Sequence, residues 1–215
     1  MINLYNMDCM EAMKDMADNQ YDLAIVDPPY GIDFAKTYTN RTKKDKLGQR
    51  HTSKNWDSNI PSDEYFDLLF KVSKNQIIWG GNYFPSIWQR GGKGIIFWFK
   101  GNPVNNFSDG ELAWTSFNKV AKQFDYRYYG NLQGSKMAAL KIHPTQKPIE
   151  LYEWLLMNYT EPGNTILDTH LGSGSIAIAC HNLGFSLDGY EVDEDYFLKA
   201  KKRLDQHTAQ IQLWT

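Results

Sequence analysis

An α/β fold with a mostly parallel sheet flanked by helices follows from three observations. Short apolar, β-branched runs alternate with helix-periodic segments along most of the chain. Two of these runs end in an acid followed by residues that break regular structure. Tyr21–Val26 leads to Asp27-Pro28-Pro29-Tyr30, and Thr165–Leu167 leads to Asp168-Thr169-His170-Leu171-Gly172-Ser173-Gly174-Ser175. A further strand then stops at Gly189-Tyr190-Glu191, about twenty residues past the glycine turn, a spacing suited to nucleotide binding.

The elements read in order as follows. Ile2–Tyr5 is a first strand, and Cys9–Met16 a helix after Asp8, a ready N-cap. The strand ending at Asp27 comes next. Pro61-Ser62-Asp63-Glu64 opens a helix with Tyr65, Phe66, Leu68, Leu69 and Val72 on its apolar face and acids in its first turn. Gln76–Trp79 is a strand stopped by Gly80-Gly81, Gly94–Phe99 another, and Phe124–Tyr129 a further one. An amphipathic helix runs from Ile149 to about Tyr159 and closes at Pro162-Gly163. The strand to Asp168, a helix from Ser175 to Leu183 stopped by Gly184, a strand Phe185–Glu191 and a helix Glu194–His207 complete the chain. Residues 36–58 and 100–118 are long, polar and poorly periodic and read as loops grafted on the sheet.

With 215 residues, 42% hydrophobic and 22% charged, the sequence fits one globular domain over 1–215 and lies outside the disordered regime. No apolar run has the length of a membrane span, and Met1–Asn6 lacks the pattern of a signal peptide, so a cytoplasmic protein is expected. Cys9 and Cys180 are too few for a disulfide framework, and the histidines lack zinc spacing, so no metal is expected.

The net charge of −2 hides an asymmetry: between Lys36 and Lys54 stand Lys36, Arg41, Lys43, Lys44, Lys46, Arg50 and Lys54 against one acid, Asp45. Interleaved with Thr, Asn, Gln and Tyr38, they suit phosphate and base contacts as well as a solvated surface. Their place directly after the Asp27 turn favours a nucleic-acid contact.

The two turns suggest chemistry. Pro28 and Pro29 exclude helix and strand and leave carbonyls without local donors. A carboxylate, free carbonyls and an aromatic ring therefore meet at a strand end, where a flat base with an exocyclic amino group would find acceptors and a stacking surface. At the second turn, Gly172 and Gly174 permit close approach of a ligand to the backbone, and Glu191 suits the ribose hydroxyls of an adenosine. Because Ile176-Ala177 follow Gly174-Ser175, the full dinucleotide spacing is missing, which favours S-adenosylmethionine over a dinucleotide.

Asp27-Pro28-Pro29-Tyr30, His143-Pro144-Thr145-Gln146-Lys147-Pro148 and the glycine turn, in this order, resemble the circularly permuted β group of S-adenosylmethionine-dependent DNA amino-methyltransferases. The resemblance runs from Ile2 to Arg203 and implies a Rossmann-like class I methyltransferase fold. It also implies target-recognition loops near 31–60 and 100–142, and a bacterial or phage origin with a link to restriction-modification. Asp27, Pro28, Pro29 and Tyr30 would be catalytic. Asp8, Cys9, Asp27, Thr145, Lys147, Asp168, His170, Gly172, Ser173, Gly174, Ser175, Glu191 and Val192 would line the cofactor. Lys147 could meet the methionine carboxylate or a neighbouring acid, and Asp8 either the cofactor adenine or its own helix. Asp rather than Ser at the head of the first motif implies N6-adenine in double-stranded DNA, with N4-cytosine or a non-catalytic DNA-binding relic as alternatives. A short recognition site, or a second subunit in a homodimer, would follow from the small loops. One departure stands out: the family commonly has Asp-Pro-Phe where this chain has Asp168-Thr169-His170.

Overall fold

In the computed structural model, residues 1–32, 57–101, 108–129, 132–133, 142–143 and 145–212 are described. The strands are β1 (Ile2–Tyr5), β2 (Tyr21–Val26), β3 (Ser73–Trp79), β4 (Ile95–Phe99), β5 (Gly110–Thr115), β6 (Lys122–Asp125), β7 (Tyr128–Tyr129), β8 (Leu132–Gln133), β9 (Thr165–Asp168) and β10 (Ser186–Tyr190). The helices are α1 (Cys9–Asp15), α2 (Asp63–Val72), α3 (Pro85–Trp88), α4 (Ile149–Tyr159), α5 (Ser175–Leu183) and α6 (Glu194–Gln212), with a 3-10 turn at Gly81–Tyr83.

Eight strands form one sheet in the order β1-β10-β9-β2-β3-β5-β4-β6, and β7 pairs with β8 as a separate ribbon. Within the large sheet only β5 runs against its neighbours, β3 and β4; the other pairings are parallel. Central strands are buried on both faces, which explains their unbroken apolar runs. In β2, Leu23 and Ile25 point into the layer of α4, α5 and α6, while Ala24 and Val26 point into the layer of α1 and α2. The period of two thus distributes one strand between two cores.

From β9 the chain proceeds to β10 beside it, and from β2 to β3 on the opposite side. The connections diverge between β9 and β2, which opens a crevice at their carboxyl ends where an α/β sheet takes its ligand. Asp168 ends β9 and Asp27 follows β2, with Ala24 paired to Leu167, so both acids stand on the same edge.

Three expectations need correction. Residues 100–118 do not form one continuous loop, because Gly110–Thr115 is an interior strand with Ala113 and Trp114 buried. Its Glu111 and flanking polar residues mask the strand pattern. The single strand expected over Phe124–Tyr129 is split between β6 and β7. The last helix also extends past His207 to Gln212.

Candidate active site

Beyond β2 the Asp27-Pro28-Pro29-Tyr30 turn is held from two sides. The buried Asp57 carboxylate accepts the backbone N–H of Tyr30 at 2.9 Å and of Gly31 at 3.0 Å through one oxygen. The Tyr30 ring lies where a side chain on Gly80 would go, since a Cβ there would stand 2.2 Å from Tyr30 Cε1. Gly80 has φ +67°, a left-handed conformation glycine adopts without strain. Tyr83, on the 3-10 turn that follows, stacks on Tyr30 with centroids 5.0 Å apart and planes 10° apart. Phe84 meets the same ring edge-on at 6.2 Å.

Both Asp27 oxygens have internal partners. The Tyr30 hydroxyl donates to Oδ1 at 2.7 Å, and Lys147 Nζ lies 2.5 Å from Oδ2. Lys147, only 2% exposed, also reaches Glu111 Oε2 at 3.0 Å, and Lys100 closes the array by pairing with Glu111 Oε1. Two acids and two lysines therefore alternate as Asp27, Lys147, Glu111, Lys100. Burial raises the Asp27 carboxyl above its ordinary range, opposed by Lys147 and reinforced by Glu111. Against the upward pull of burial, Lys147 and Lys100 hold Glu111 at about 2. Against the downward pull of burial, Asp27 and Glu111 hold Lys147 above its usual value. Lys147 is thus a buried ammonium whose three donors face Asp27, Glu111 and, at 3.4 Å, the Tyr30 hydroxyl.

The sequence placed Lys147 among cofactor contacts, with a neighbouring acid as the alternative; the side chain goes to the acids. Its backbone links the two halves of the site instead, because Ser175 Oγ donates to the Lys147 carbonyl at 2.7 Å. Arg203 reinforces that link by donating to the Ser173 carbonyl and to Ser175 Oγ, each at 2.9 Å. Thr145 is turned towards His143, with Oγ1 3.1 Å from Nδ1.

At the second turn Gly172 (φ +51°) and Gly174 (φ +70°) both use the left-handed region, Gly174 immediately before α5. Glu191 accepts the Gly172 N–H at 2.8 Å through Oε2 and the Asp193 N–H at 2.9 Å through Oε1. These two bonds fix the carboxylate beside the glycine turn, a placement suited to ribose hydroxyls. A Cβ added at Gly172 would meet nothing closer than the His143 ring at 3.8 Å, which leaves space over the turn. An adenosine-bearing cofactor matches this donor and acceptor set.

Asp168 is buried and accepts the His170 N–H at 2.9 Å. Burial pushes its carboxyl up to about 8, with Asp27 and Glu191 adding to the rise. Thr169 Oγ1 bonds Tyr65 Oη at 2.7 Å and His170 Nδ1 at 2.9 Å, while the His170 ring meets Tyr65 edge-on at 5.4 Å. Burial lowers the imidazole to about 4, slightly offset by Asp8, so His170 is neutral at pH 7 and takes an aromatic role. Asp8 caps α1, its Oδ1 accepting the Met10 N–H at 2.8 Å. Cys9 is buried below it, the thiol pushed up to about 12 by burial, which suits packing rather than reactivity. Val192 is exposed just beyond Glu191.

The basic residues Lys36, Arg41, Lys43, Lys44, Lys46, Arg50 and Lys54 lie outside the described residues. Among those described, no cluster of His, Cys, Asp and Glu could hold a metal, and no helix is long and apolar enough to cross a membrane. Sequence reasoning missed Glu111, Lys100, Asp57 and Tyr152. The Tyr152 phenol on α4 is buried within the fields of Asp27, Asp168 and Glu111, and burial and those acids raise it well above its usual range. Only the helical spacing of Leu151, Tyr152 and Leu155 signalled its burial.

Known proteins share both this sheet and this sequence pattern. The pattern of the DNA methylase family, the N6 and N4 amino-methyltransferases, matches residues 80–202, more than half of the chain. The chain belongs to this family. It is 26% identical to the type II methyltransferase M.HpaI of Haemophilus parainfluenzae, over 91% of this chain and 72% of that protein. It is 24% identical to the type II methyltransferase M2.MboI of Moraxella bovis, over 96% and 88%. Among solved structures, the M1.HpyAVI–SAM complex matches with a TM-score of 0.61 at 25% identity, covering 95% of this methylase and all of that chain. The cytosine-N4-specific PvuII DNA methyltransferase matches in fold, with a TM-score of 0.63 at 13% identity over 97% and 90%. The sheet order and helix layers of this methylase are therefore those of a Rossmann-like methyltransferase.

Proposed function

We propose that this methylase transfers a methyl group from S-adenosylmethionine to the exocyclic N6 amino group of adenine in double-stranded DNA. One observation carries the reading: Asp27, with Tyr30 beside it, stands one strand away from the Asp168 and Glu191 turn, on the same edge of the sheet. A nucleophile held at the first and a cofactor held at the second would meet across the crevice.

The cofactor supplies an electrophilic methyl carbon on a sulfonium that leaves as a neutral thioether. Glu191 would hold the ribose hydroxyls, and the Gly172–Ser175 backbone would lie against the methionine half. On the acceptor side, an aromatic amine is a weak nucleophile because its lone pair is delocalised into the base. Asp27 and the Pro28 carbonyl would each accept one amino hydrogen and return that lone pair to nitrogen. The Tyr30 hydroxyl donates to Asp27 Oδ1. The incoming amine would take its place, and the Tyr30 ring would stack on the base. The amine nitrogen would then be aligned in line with the methyl group that the cofactor supplies, and Asp27 would take the amino proton released on transfer and pass it to solvent. Positioning and electrostatics supply the acceleration. Extruding the base from the duplex costs roughly a few kcal/mol, offset by stacking and by phosphate contacts from the basic segment at Lys36–Lys54.

Labelled S-adenosylmethionine and unmethylated bacterial DNA, digested to nucleosides and read by mass spectrometry beside Asp27→Ala, test the reading. Methyladenine that disappears in the variant supports it. Methylcytosine would instead support the N4 reaction, which the fold of the PvuII enzyme accommodates. Cofactor binding without transfer to DNA would favour a binding-only protein. The relatives M.HpaI and M2.MboI are type II methyltransferases, so a role in restriction-modification is proposed as well.

A further inference from the structure

We infer that Glu111 is a positioning residue that keeps the catalytic end of the crevice from becoming cationic, so that a sulfonium can approach Asp27. The inference rests on the proposed reaction, in which Asp27 faces the transferred methyl group.

The charges around Asp27 make the case. Lys147 Nζ lies against Asp27 at 2.5 Å, and Lys100 stands behind it on the outer oxygen of Glu111. Glu111 Oε2 takes Lys147 at 3.0 Å and also faces the Tyr30 hydroxyl at 3.5 Å. Asp27, Lys147, Glu111 and Lys100 together sum to zero. Without Glu111 the array holds one acid and two ammonium groups, a net +1 beside the place where a positively charged donor must come. Interactions between charges in a water-poor crevice are several times stronger than in bulk water, so a single uncompensated charge there selects strongly against a cation.

The remaining groups around the array do not supply this compensation. Tyr30 and Tyr152 are phenols held far above neutrality by burial and the neighbouring acids. Asp168, on β9, is pushed up to about 8 by burial and so is largely uncharged at pH 7. The position of Glu111 in the fold supports a functional role. It sits on the antiparallel strand β5 between β3 and β4, where an apolar residue would pack without any need for a buried ion array. Replacing buried ion pairs with apolar groups is often neutral or stabilising, so stability alone does not account for a carboxylate here.

The test measures binding of S-adenosylmethionine and of its neutral product S-adenosylhomocysteine by calorimetry, for the parent, Glu111→Gln, Lys100→Met and the double variant. Glutamine keeps the shape and one oxygen for Lys147. Methionine keeps the packing of Lys100 on the Trp98 ring, whose centroid lies 4.6 Å from Nζ. If Glu111 sets the charge, E111Q lowers the preference for the sulfonium over the thioether by about tenfold. Lys100→Met raises that preference, and the double variant returns to the parent ratio because its net charge is again zero. A merely structural role would weaken both ligands equally and would not be rescued by removing a lysine. An unchanged ratio in E111Q, or a loss that the double variant does not recover, overturns the inference. Melting temperature read alongside shows whether each variant folds. If E111Q does not fold, Glu111→Asp takes its place: the shorter acid keeps the charge and must keep the parent ratio, and a shifted ratio overturns the inference equally. DNA methylation by the parent separates the two claims. Absent transfer with the expected order of ratios removes the adenine reading and leaves Glu111 in its role, while normal transfer with an unmoved ratio does the reverse. A parent that binds neither ligand overturns both.

Discussion

Replacing Asp168 with Asn is expected to stabilise the ligand-free protein and to weaken its cofactor site. The carboxyl is buried, makes one hydrogen bond with the His170 N–H, and is raised by burial from 3.8 to about 8. Asparagine keeps the carbonyl that accepts this N–H and replaces the protonated oxygen by an amide donor of similar size. The sign follows from proton linkage. Between pH 4 and 8 the native state retains a proton that the unfolded state has released, so the native state binds more protons and stability falls as pH rises. Below pH 4 both states are protonated, and above pH 8 both are ionised. Retaining that proton costs about 1.4 kcal/mol for every pH step of one across this window, which sets an upper bound of about 4 kcal/mol at pH 7. Local relaxation and water reaching the turn reduce this, and a gain of about 1–3 kcal/mol is expected, or about 3–10 °C in Tm for a domain of this size. Urea unfolding of parent and variant at pH 4.5, 6 and 8 measures it. The difference should be small at pH 4.5 and largest at pH 8. A variant that is less stable than the parent, or a difference that does not vary with pH, refutes the idea that this acid is held against its solvation. The same substitution should lower cofactor affinity, as expected of an acid at the proposed cofactor turn, and calorimetry with S-adenosylmethionine measures it.

Other consequences are read from single contacts. Tyr30→Phe keeps the ring and releases Asp27 Oδ1, so steady-state kinetics should show kcat nearly unchanged and a lower KM for DNA; a large loss in kcat would mean that the hydroxyl takes part in the reaction. Tyr30→Ala removes the stacking surface, worth about 1–3 kcal/mol per base, and should lower kcat/KM for DNA roughly tenfold to a hundredfold. Gly80→Ala places a Cβ 2.2 Å from the Tyr30 ring at φ +67° and should cost about 1–3 kcal/mol in denaturant unfolding, with loss of DNA methylation exceeding the loss of folded protein. His170→Phe should make the protein more resistant to acid. The imidazole, held by burial at about 4, forces the native state to bind fewer protons than the unfolded state between pH 4 and 6.5, so stability is lost as pH is lowered through that window. Thermal melts at pH 5 and 7.5 should show the phenylalanine variant gaining at the lower pH alone.

The sheet and both turns were legible in the sequence because each rests on local chemistry. A continuous apolar run such as Leu23–Val26 can be satisfied only between two layers, and two prolines or two glycines after an acid leave few backbone paths. The Asp8 cap was legible for the same reason, since it needs only its own first turn. What could not be read were residues whose role depends on contacts far apart in the chain. Asp57 holds a turn 27 residues before it, and Gly80 makes room for Tyr30 from the end of the neighbouring strand.

Glu111 was the least legible of these, and the reason is physical. A carboxylate in the second position of a short strand lowers its apolar periodicity, and in Gly110–Thr115 that was enough to make a buried strand read as loop. Local pattern and local propensity assume that each position serves the fold. Glu111 faces two lysines from different parts of the chain, and its charge is used at the crevice and not in the sheet. A strand position that departs from its own pattern while its charge is fully compensated by distant partners marks a place where the fold has yielded to a site. The same reasoning applies to Asp168, an interior acid without a cation in hydrogen-bonding reach among the described residues. Burial, with Asp27 and Glu191 adding to it, holds this carboxyl at about 8, a cost to the fold that an apolar residue at the end of β9 would not carry.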